Sequence, residues 1–533
     1  MPTCRRCDAP LDGPVPGVCP ACGAHGHAPA VALLEWLVPD AASLPAPAVV
    51  PDPLGWPEYR ARLADARAEA GTDESVVAGV GHLRDDAGAA TGPGLVAVVW
   101  EFGFLGGSMG SRTGAVIAAA FDHAREAGLP VVLLPSTGGA RMQEGMASLV
   151  QMAATTVASR AHAAAGLLQV AVLRHPTTGG VFASHANLAD VVWAEPGATI
   201  GFAGPRVAEA MTGGPLPEGS HTAAGARASG LVDDVVARGD LPGRLTTLLA
   251  WAAGDTRATP AQAPAAAPAD DRPAAGAAER PDAWTAVLAS RDPARARAGG
   301  FLAAVDVAAS LRGDRAGGVD DTIRVALATL PPAAHGSAPH RVVVVAMDRD
   351  VDEARVTPAG YRLAWRGLAL AERLGLPVVT LVDTPGADAS ASSEAGGVAH
   401  HIAATFSRLL ALPVPTVCLV TGEGGSGGAL ALAVADRLLL QQHATFSVIA
   451  PEGAAAILHR DAGRAPEVAA LLRPTAHDLL ALGLCDAVVP EPAGAEVTTA
   501  WAAVTAALDD LAADGAAGRT AARHARWRAA GQP

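Results

Sequence analysis

The chain has 533 residues, half of them apolar, and a formal net charge of −14; at roughly 150 residues per domain that suits about two to four domains. Its acidity excludes broad non-specific nucleic-acid binding through bulk charge, although not through a local patch. No run of about 18 apolar residues escapes charge, Gly or Pro, so no transmembrane helix is expected, and with no apolar signal core at the start the expected compartment is cytoplasmic.

The chain opens with CRRCDAPLDGPVPGVCPAC, in which Cys4, Cys7, Cys19 and Cys22 are spaced C-x2-C-x11-C-x2-C. Each C-x-x-C knuckle offers two thiolates to one ion, and two knuckles complete a tetrahedral sulfur site, so residues 1–25 read as a zinc ribbon holding one structural Zn2+. The loop is shorter than a typical ribbon's, and His25 is an alternative ligand. Arg5 and Arg6 are offset by Asp8 and Asp12, so nucleic acid is not expected as a partner. Residues 26–90 read as a helical connector, and 91–253 as alternating short strands and helices. The Pro/Ala-rich segment 254–282 reads as a linker. A second αβ region follows over 283–495, and 496–533 reads as a helical tail ending in a solvated basic helix.

The two αβ regions repeat one another. GLPVVLLPSTGG begins at Gly128 and GLPVVTLVDTPG at Gly375, an offset of 247. Asp190, Thr199 and Pro205 match Asp436, Thr445 and Pro451 at an offset of 246, and Gly230 matches Gly483 at 253. Ordered matches at a nearly constant offset mark a duplicated domain. In each copy a Val/Leu-rich strand, of the kind buried on both faces, ends in a Gly turn. A second strand then ends in a Gly pair expected to open a helix: PTTGGVFAS in one copy, TGEGGSGGALALAVAD in the other. Glycine there permits close backbone approach, and free N–H groups at such a turn stabilise an anion, including an enolate oxygen formed only during reaction. Tight helix–sheet packing is the competing explanation for the same glycines.

Other motif readings fare worse. Gly422, Gly424 and Gly427 fit G-x-G-x-x-G, but the first copy lacks it and no acidic residue follows at the dinucleotide spacing. Ser108 and Ser426 fit G-x-S-x-G without a His and Asp partner pattern. All 39 basic residues are Arg, which excludes a P-loop lysine, a Schiff-base lysine and a biotinylated lysine on this chain.

WEFGFLGGSMGSRTGAV, TGGARMQEGMASLVQM, PTTGGVFAS and IGFAGPRVAEAM, together with the Cys4 ribbon, resemble the β subunit of the bacterial acetyl-CoA carboxylase carboxyltransferase. TPAGYRLAWRGLALAERLGLPVVTLVDTPGA, GEGGSGGALALAVADRLL and FSVIAPEGAAAILHRDA resemble its α subunit. The resemblance is to the fused β/α form and covers roughly residues 1–25 and 90–492. It implies an α/β fold of two crotonase-like domains in tandem, each a spiral of ββα units, after the zinc ribbon. It implies transfer of carboxyl from carboxybiotin, on a separate biotin carboxyl carrier protein charged by a biotin carboxylase, to acetyl-CoA, giving malonyl-CoA for fatty acid or polyketide synthesis. It also implies a homodimer of fused chains. Matched residue by residue, Gly179 and Gly180 fall on an oxyanion site for the acyl-CoA. Gly428 and Ala429, with Gly427 beside them, fall on one for biotin. Arg141, Arg206 and Arg362 lie in family-like motifs as candidates for CoA phosphates or a carboxylate, with structural ion pairing as the alternative. Where the family's α half carries a Gly- and Lys-bearing loop, this chain reads RVVVVAMDRDVDEAR, and after DTPGA it reads DASASS. Both lie at the expected rim, so the acyl group stays open. A malonyl-thioester decarboxylase and a non-catalytic zinc-ribbon regulator are the alternative functions.

Overall fold

The computed structural model describes residues 3, 4, 6–50, 52–179, 181–254, 282–332, 338–513 and 518–529. The chain divides into two compact units, residues 1–253 with 315–318, and 254–314 with 319–533. Most of the expected linker, and Gly180, lie outside the described residues.

The first unit is built on a seven-stranded sheet. Strands Ala42–Ser43, Val76–Arg84 and Ala90–Trp100 pair antiparallel. Val131–Leu134, Gln169–Leu173, Val191–Ala194 and Asp234–Val235 then add in parallel. The parallel strands VVLL, QVAVL and VVWA are buried at every position, as continuous apolar runs covered on both faces should be. The core joins Val96, Val98, Val131, Leu133 and Ala171 to Ile117, Ala120 and Phe121 of helix Ser111–Ala127.

The second unit repeats this order strand for strand. Asp306–Leu311, Ile323–Leu330 and His340–Met347 are antiparallel. Val378–Thr384, Thr416–Gly425, Arg437–Gln441 and Ala487–Val489 are parallel. Helix Pro358–Leu374 matches Ser111–Ala127 in length, and each ends on a left-handed glycine, Gly375 and Gly128, which satisfies the last carbonyls. The bridges Met109–Ala140 and Val356–Ala387 keep the offset of 247.

Two sequence boundaries need correction. The expected connector 26–90 contains Val76–Arg84, a strand of the main sheet. Its VVAGVGHLR hides the strand signal because Gly79 and Gly81 break the apolar alternation. They are small for a packing reason. A Cβ on Gly81 would sit 2.5 Å from Asp40 Oδ1 and 2.7 Å from Val38 Cγ1, and one on Gly79 3.2 Å from Leu34, where helix Ala30–Leu37 crosses the strand.

The second correction concerns the tail. Helix Glu496–Ala513 supplies Trp501, Val504, Leu508 and Leu511 to the second core, so that domain does not end at 495. The basic helix Arg519–Ala529 is docked rather than solvated. Arg523 is fully buried and donates to both oxygens of Asp436 at 2.8 and 2.7 Å. It also donates to the carbonyls of Leu409, Leu412 and Val414. Asp436 in turn accepts the Thr416 amide at the start of a central strand. Breaking a buried pair from one side costs about 3–5 kcal/mol, because the remaining charge is stranded. Arg523→Ala is therefore expected to lower the unfolding free energy of the second unit by about 3 kcal/mol, measured by urea denaturation of the full chain. A change under about 1 kcal/mol, the range of an exposed pair, would show the tail helix to be a solvated appendage.

Candidate active site and metal centre

At the carboxyl ends of the parallel strands of each unit, three backbone segments converge. In the first unit one is a left-handed turn, Leu105, Gly106 and Gly107, with φ of 48°, 67° and 64°. Its Gly106 carbonyl accepts the Gly138 amide at 2.9 Å. The second segment is Thr137–Gly139, where the Gly139 amide donates to Thr137 Oγ1 at 3.0 Å. The third is Thr177–Gly179, whose Thr178 amide donates to the Thr137 carbonyl. A Cβ on Gly179 would lie 2.6 Å from Gly139 Cα, and one on Gly107 2.0 Å from the Ser136 carbonyl. Only glycine permits these contacts.

The second unit builds the same three segments. Asp352, Glu353 and Ala354 take φ of 42°, 53° and 54°. The Thr384 hydroxyl donates to the Ala354 carbonyl at 2.5 Å and accepts the Gly386 amide at 3.0 Å. Gly424 pairs with Thr384, as Thr177 bridges Thr137 in the first unit. A Cβ on Gly425 would lie 2.0 Å from the Pro385 carbonyl, and one on Gly428 2.4 Å from the Ala387 amide nitrogen. This left-handed turn was missed in the sequence because an Asp-Glu-Ala run carries no turn signal; its first-unit counterpart, Leu-Gly-Gly, does.

Register refines the glycine assignment. With the offset of 247 held through Thr177 and Gly424, Gly179 and Gly180 correspond to Ser426 and Gly427. The left-handed residue is Gly179 in one copy, φ 71°, and Ser426 in the other, φ 58°. Ser426 is exposed and Gly427 half-buried, whereas Gly428 and Ala429 are buried beneath them. A Cβ on Gly427 would meet nothing within 4 Å, so Gly427 faces open space. The expected helix after the Gly pair is only Ser426–Leu430, and the first copy has turns such as Ala183 N–H to the Gly179 carbonyl. An aligned macrodipole is therefore short. What remains is the set of early N–H groups that a helical turn leaves without internal partners, here Ser426, Gly427 and Gly428.

The arginines are placed as follows. Arg141 is 1% exposed and ion-paired to Glu74 at 2.5 Å and Glu144 at 3.2 Å. It also donates to the Ser108 carbonyl at 2.7 Å, just past the first left-handed turn, so its guanidinium is spent inside the fold. Arg362 is held by Asp314 at 2.6 and 2.8 Å, and its Nη1 donates to His401 Nε2 at 3.0 Å. Arg206 lies in helix Pro205–Thr212; its side chain is outside the described residues. Behind the first glycine turn, His185 is fully buried, and burial holds its pKa down to about 3. It is neutral, stacks on Trp100 and takes part in a 2.9 Å hydrogen bond with the Thr155 hydroxyl.

At the N-terminus the sulfurs of Cys4, Cys7, Cys19 and Cys22 lie within 4.8 Å of one another. Three of their separations are 3.4–3.6 Å, near the edge of about 3.8 Å for a tetrahedron with 2.3 Å metal–sulfur bonds. All four are free thiols, and the donor set fits Zn2+. His25 is not among them; its Nδ1 lies 3.4 Å from Glu195. Arg238 clamps Glu195 at 2.7 and 2.6 Å and donates to the Pro16 and Gly26 carbonyls, tying the ribbon to the first sheet. Burial would raise the Glu195 pKa, but His25 and Arg238 hold it down to about 2.

This duplicated α/β architecture with crotonase-like sheets is that of a carboxyltransferase, and comparison with known proteins bears it out. The family described as "Carboxyl transferase domain" matches residues 49–274, and "Acetyl co-enzyme A carboxylase carboxyltransferase-like" matches 276–529. The acetyl-coenzyme A carboxylase carboxyl transferase subunits beta/alpha of Salinispora arenicola are 44% identical over 93% of this chain and 88% of the relative. A probable biotin-dependent acyl-coenzyme A carboxylase beta3 subunit of Mycobacterium tuberculosis is 38% identical, over 90% and 95%. The transcarboxylase 12S crystal structure shares the fold, with a TM-score of 0.70 and 21% identity, over 92% of this chain and 90% of that one. The chain belongs to the fused beta/alpha carboxyl transferase family of the biotin-dependent acyl-CoA carboxylases. Among the described residues, no helix is long and apolar enough to cross a membrane.

Replacing one ligand should empty the metal centre without unfolding the sheets, because none of the four cysteines belongs to the apolar core of the first sheet. Cys19→Ser is expected to lose its one equivalent of zinc, read by elemental analysis, while circular dichroism stays near that of the parent. Unchanged zinc in that variant would reject the four-cysteine site.

Proposed function

We propose that this chain is the carboxyltransferase component of an acetyl-CoA carboxylase. It transfers carboxyl from carboxybiotin, carried by a separate carrier protein and formed by a biotin carboxylase, to acetyl-CoA. The observation that supports this most is the duplicated three-segment site. Carboxyl transfer puts negative charge on two oxygens, and one chain offers two sets of amides. The bond from the carboxyl carbon to biotin N1 breaks, and its electron pair stays on the ureido group. The acetyl C2 proton passes to that nitrogen, and the C2 electron pair forms the new carbon–carbon bond of malonyl-CoA. No side-chain base is required, which accords with a neutral, buried His185.

In this reading Gly179 and Gly180 serve the thioester enolate, and the amides of Ser426, Gly427 and Gly428, just ahead of Ala429, serve the ureido oxygen. Preorganised amides act where charge develops, and one donor is worth about 3 kcal/mol, or roughly a hundredfold in rate. With no lysine in the chain, the biotin belongs to a partner. Acetyl as the acyl group is supported by the name of the Salinispora relative; a panel of acyl-CoAs with a charged carrier decides it.

Gly427→Val tests the site without jamming the backbone, since its Cβ has open space. It should stay folded, keep acetyl-CoA affinity within a few-fold by calorimetry, and lose about a hundredfold in radiolabelled carboxyl transfer. Gly428→Val, whose Cβ meets the Ala387 nitrogen, should lose stability as well. Gly180→Val should weaken acyl-CoA binding. A folded, fully active Gly427→Val would sink the oxyanion reading of the second turn.

The chain is also proposed to assemble at least as a homodimer. Met142, Met146, Leu149 and Val150 are exposed in the first unit, and Ile457, Leu458 and Leu471 in the second. Apolar surface of this kind marks association, and the transcarboxylase 12S core is described as a hexamer. Light scattering at an active concentration should give at least twice the chain mass; a monomeric mass there would contradict it.

A further inference from the structure

Beneath the second glycine turn lies a cluster of charged side chains on positions that carry no charge in the first unit, where buried Arg174, just after strand Gln169–Leu173, donates instead to the Trp100 and Leu134 carbonyls. Arg349 follows strand His340–Met347 by two residues and is 13% exposed. Its Nη1 donates to Glu423 Oε2 at 2.8 Å and lies 3.5 Å from Asp383 Oδ1. Asp383, near the end of strand Val378–Thr384, accepts the Glu423 amide at 3.0 Å and Arg297 Nη1 at 2.5 Å. Glu423 is gripped again by Arg291 at 2.7 and 3.1 Å, and Arg291 reaches on to Glu452 at 2.6 Å. Burial pushes the Asp383 carboxyl up, countered by Arg297, the Glu423 amide and Arg349. At the offset of 247, Arg349, Asp383 and Glu423 correspond to Phe102, Ser136 and Pro176. The first unit thus ties the same strand ends through Arg174 and backbone carbonyls, with no carboxylate at these positions.

What differs between the copies is the turn each must hold. The first left-handed turn contains two glycines. The second holds Asp352, Glu353 and Ala354 at positive φ, a region that disfavours any residue with a Cβ. Such conformations persist only where the surroundings over-determine them. Arg349 stands three residues before this turn. Asp383 stands directly before Thr384, which binds the Ala354 carbonyl and the Gly386 amide. Glu423 stands directly before Gly424 and Gly425. One guanidinium thus links the three strand ends from which all three segments of the second site depart.

We propose that Arg349 is a positioning residue for the second site, holding the strained Asp352–Ala354 turn in register with the glycine turn. The proposal rests on the reading of that site as the one for the ureido oxygen. Both contacts come from one nitrogen, Nη1, whose place an ammonium on a more flexible stem only approximates.

The test measures carboxyl transfer in the full-length chain with a charged carrier, for Arg349→Ala, Arg349→Lys and the double variant Arg349→Ala/Glu353→Gly. The last gives the second turn the glycine that the first has at Gly106. Arg349→Ala is expected to lose roughly a hundredfold in kcat, the scale of a misplaced oxyanion donor, with the KM for acetyl-CoA within twofold. Arg349→Lys should recover only part of the loss. Glu353→Gly should restore roughly tenfold in the Arg349→Ala background, by removing strain the anchor no longer holds; a purely stabilising role for Arg349 would give no such recovery of kcat per folded molecule. Wild-type kcat in folded Arg349→Ala, or no rescue by Glu353→Gly, overturns the proposal. If Gly427→Val is inactive while Arg349→Ala keeps its kcat, only the positioning role falls. If Gly427→Val is itself fully active, the site reading falls first.

Discussion

The structure depends on backbone meeting backbone at the ends of neighbouring parallel strands. Strands lie about 4.8 Å apart, and turns leaving adjacent ends have no room for side chains between them. A Cβ would stand 2.0 Å from the Ser136 carbonyl at Gly107, and 2.0 Å from the Pro385 carbonyl at Gly425. Glycine at these places is a steric requirement before it is a chemical one. The same closeness brings amides from separate segments together, so the packing constraint and the oxyanion chemistry are one feature seen twice.

That overlap explains how the sequence could be read. The duplication was visible because Gly128, Gly375, Asp190 and Asp436 do fixed geometric jobs. The first two end equivalent helices in the left-handed region. The latter two each accept the first amide of the neighbouring, preceding strand, Gln169 or Thr416. The Cys4 spacing was legible because metal geometry is local. Strand Val76–Arg84 was not, since Gly79 and Gly81 answer to a helix some 45 residues earlier. Arg523 was not either: its partner Asp436 is distant in sequence, and a basic C-terminal stretch looks solvated until that carboxylate is placed.

The second glycine turn is a different case. The family resemblance puts that site at Gly428 and Ala429, with Gly427 beside them. Strand register instead aligns Gly179 with Ser426. A serine in the left-handed region is rare enough that no sequence rule would place it there. The exposed face of the turn is then Ser426 and Gly427, with Gly428 beneath as the close-packing residue, its carbonyl accepting the Tyr361 hydroxyl at 3.2 Å.

The two copies solve one mechanical problem with different means. Each needs a left-handed turn fixed beside a glycine turn. The first uses Gly106 and Gly107 and steadies the turn's exit with Arg141, buried between Glu74 and Glu144. The second accepts Cβ-bearing residues in the turn, and at the position of Arg141 it carries Asp388, which accepts from Ser390 and Ser393. With that arginine gone, the steadying charge moves to Arg349, on the other side of the turn, and reaches the two neighbouring strand ends through Glu423 and Asp383. Buried ion pairs add little net stability over apolar packing. A cluster of three arginines and three carboxylates at a site's foundation, where the first copy needs only Arg174 on the Trp100 and Leu134 carbonyls, is therefore better explained by the geometry it fixes than by stability.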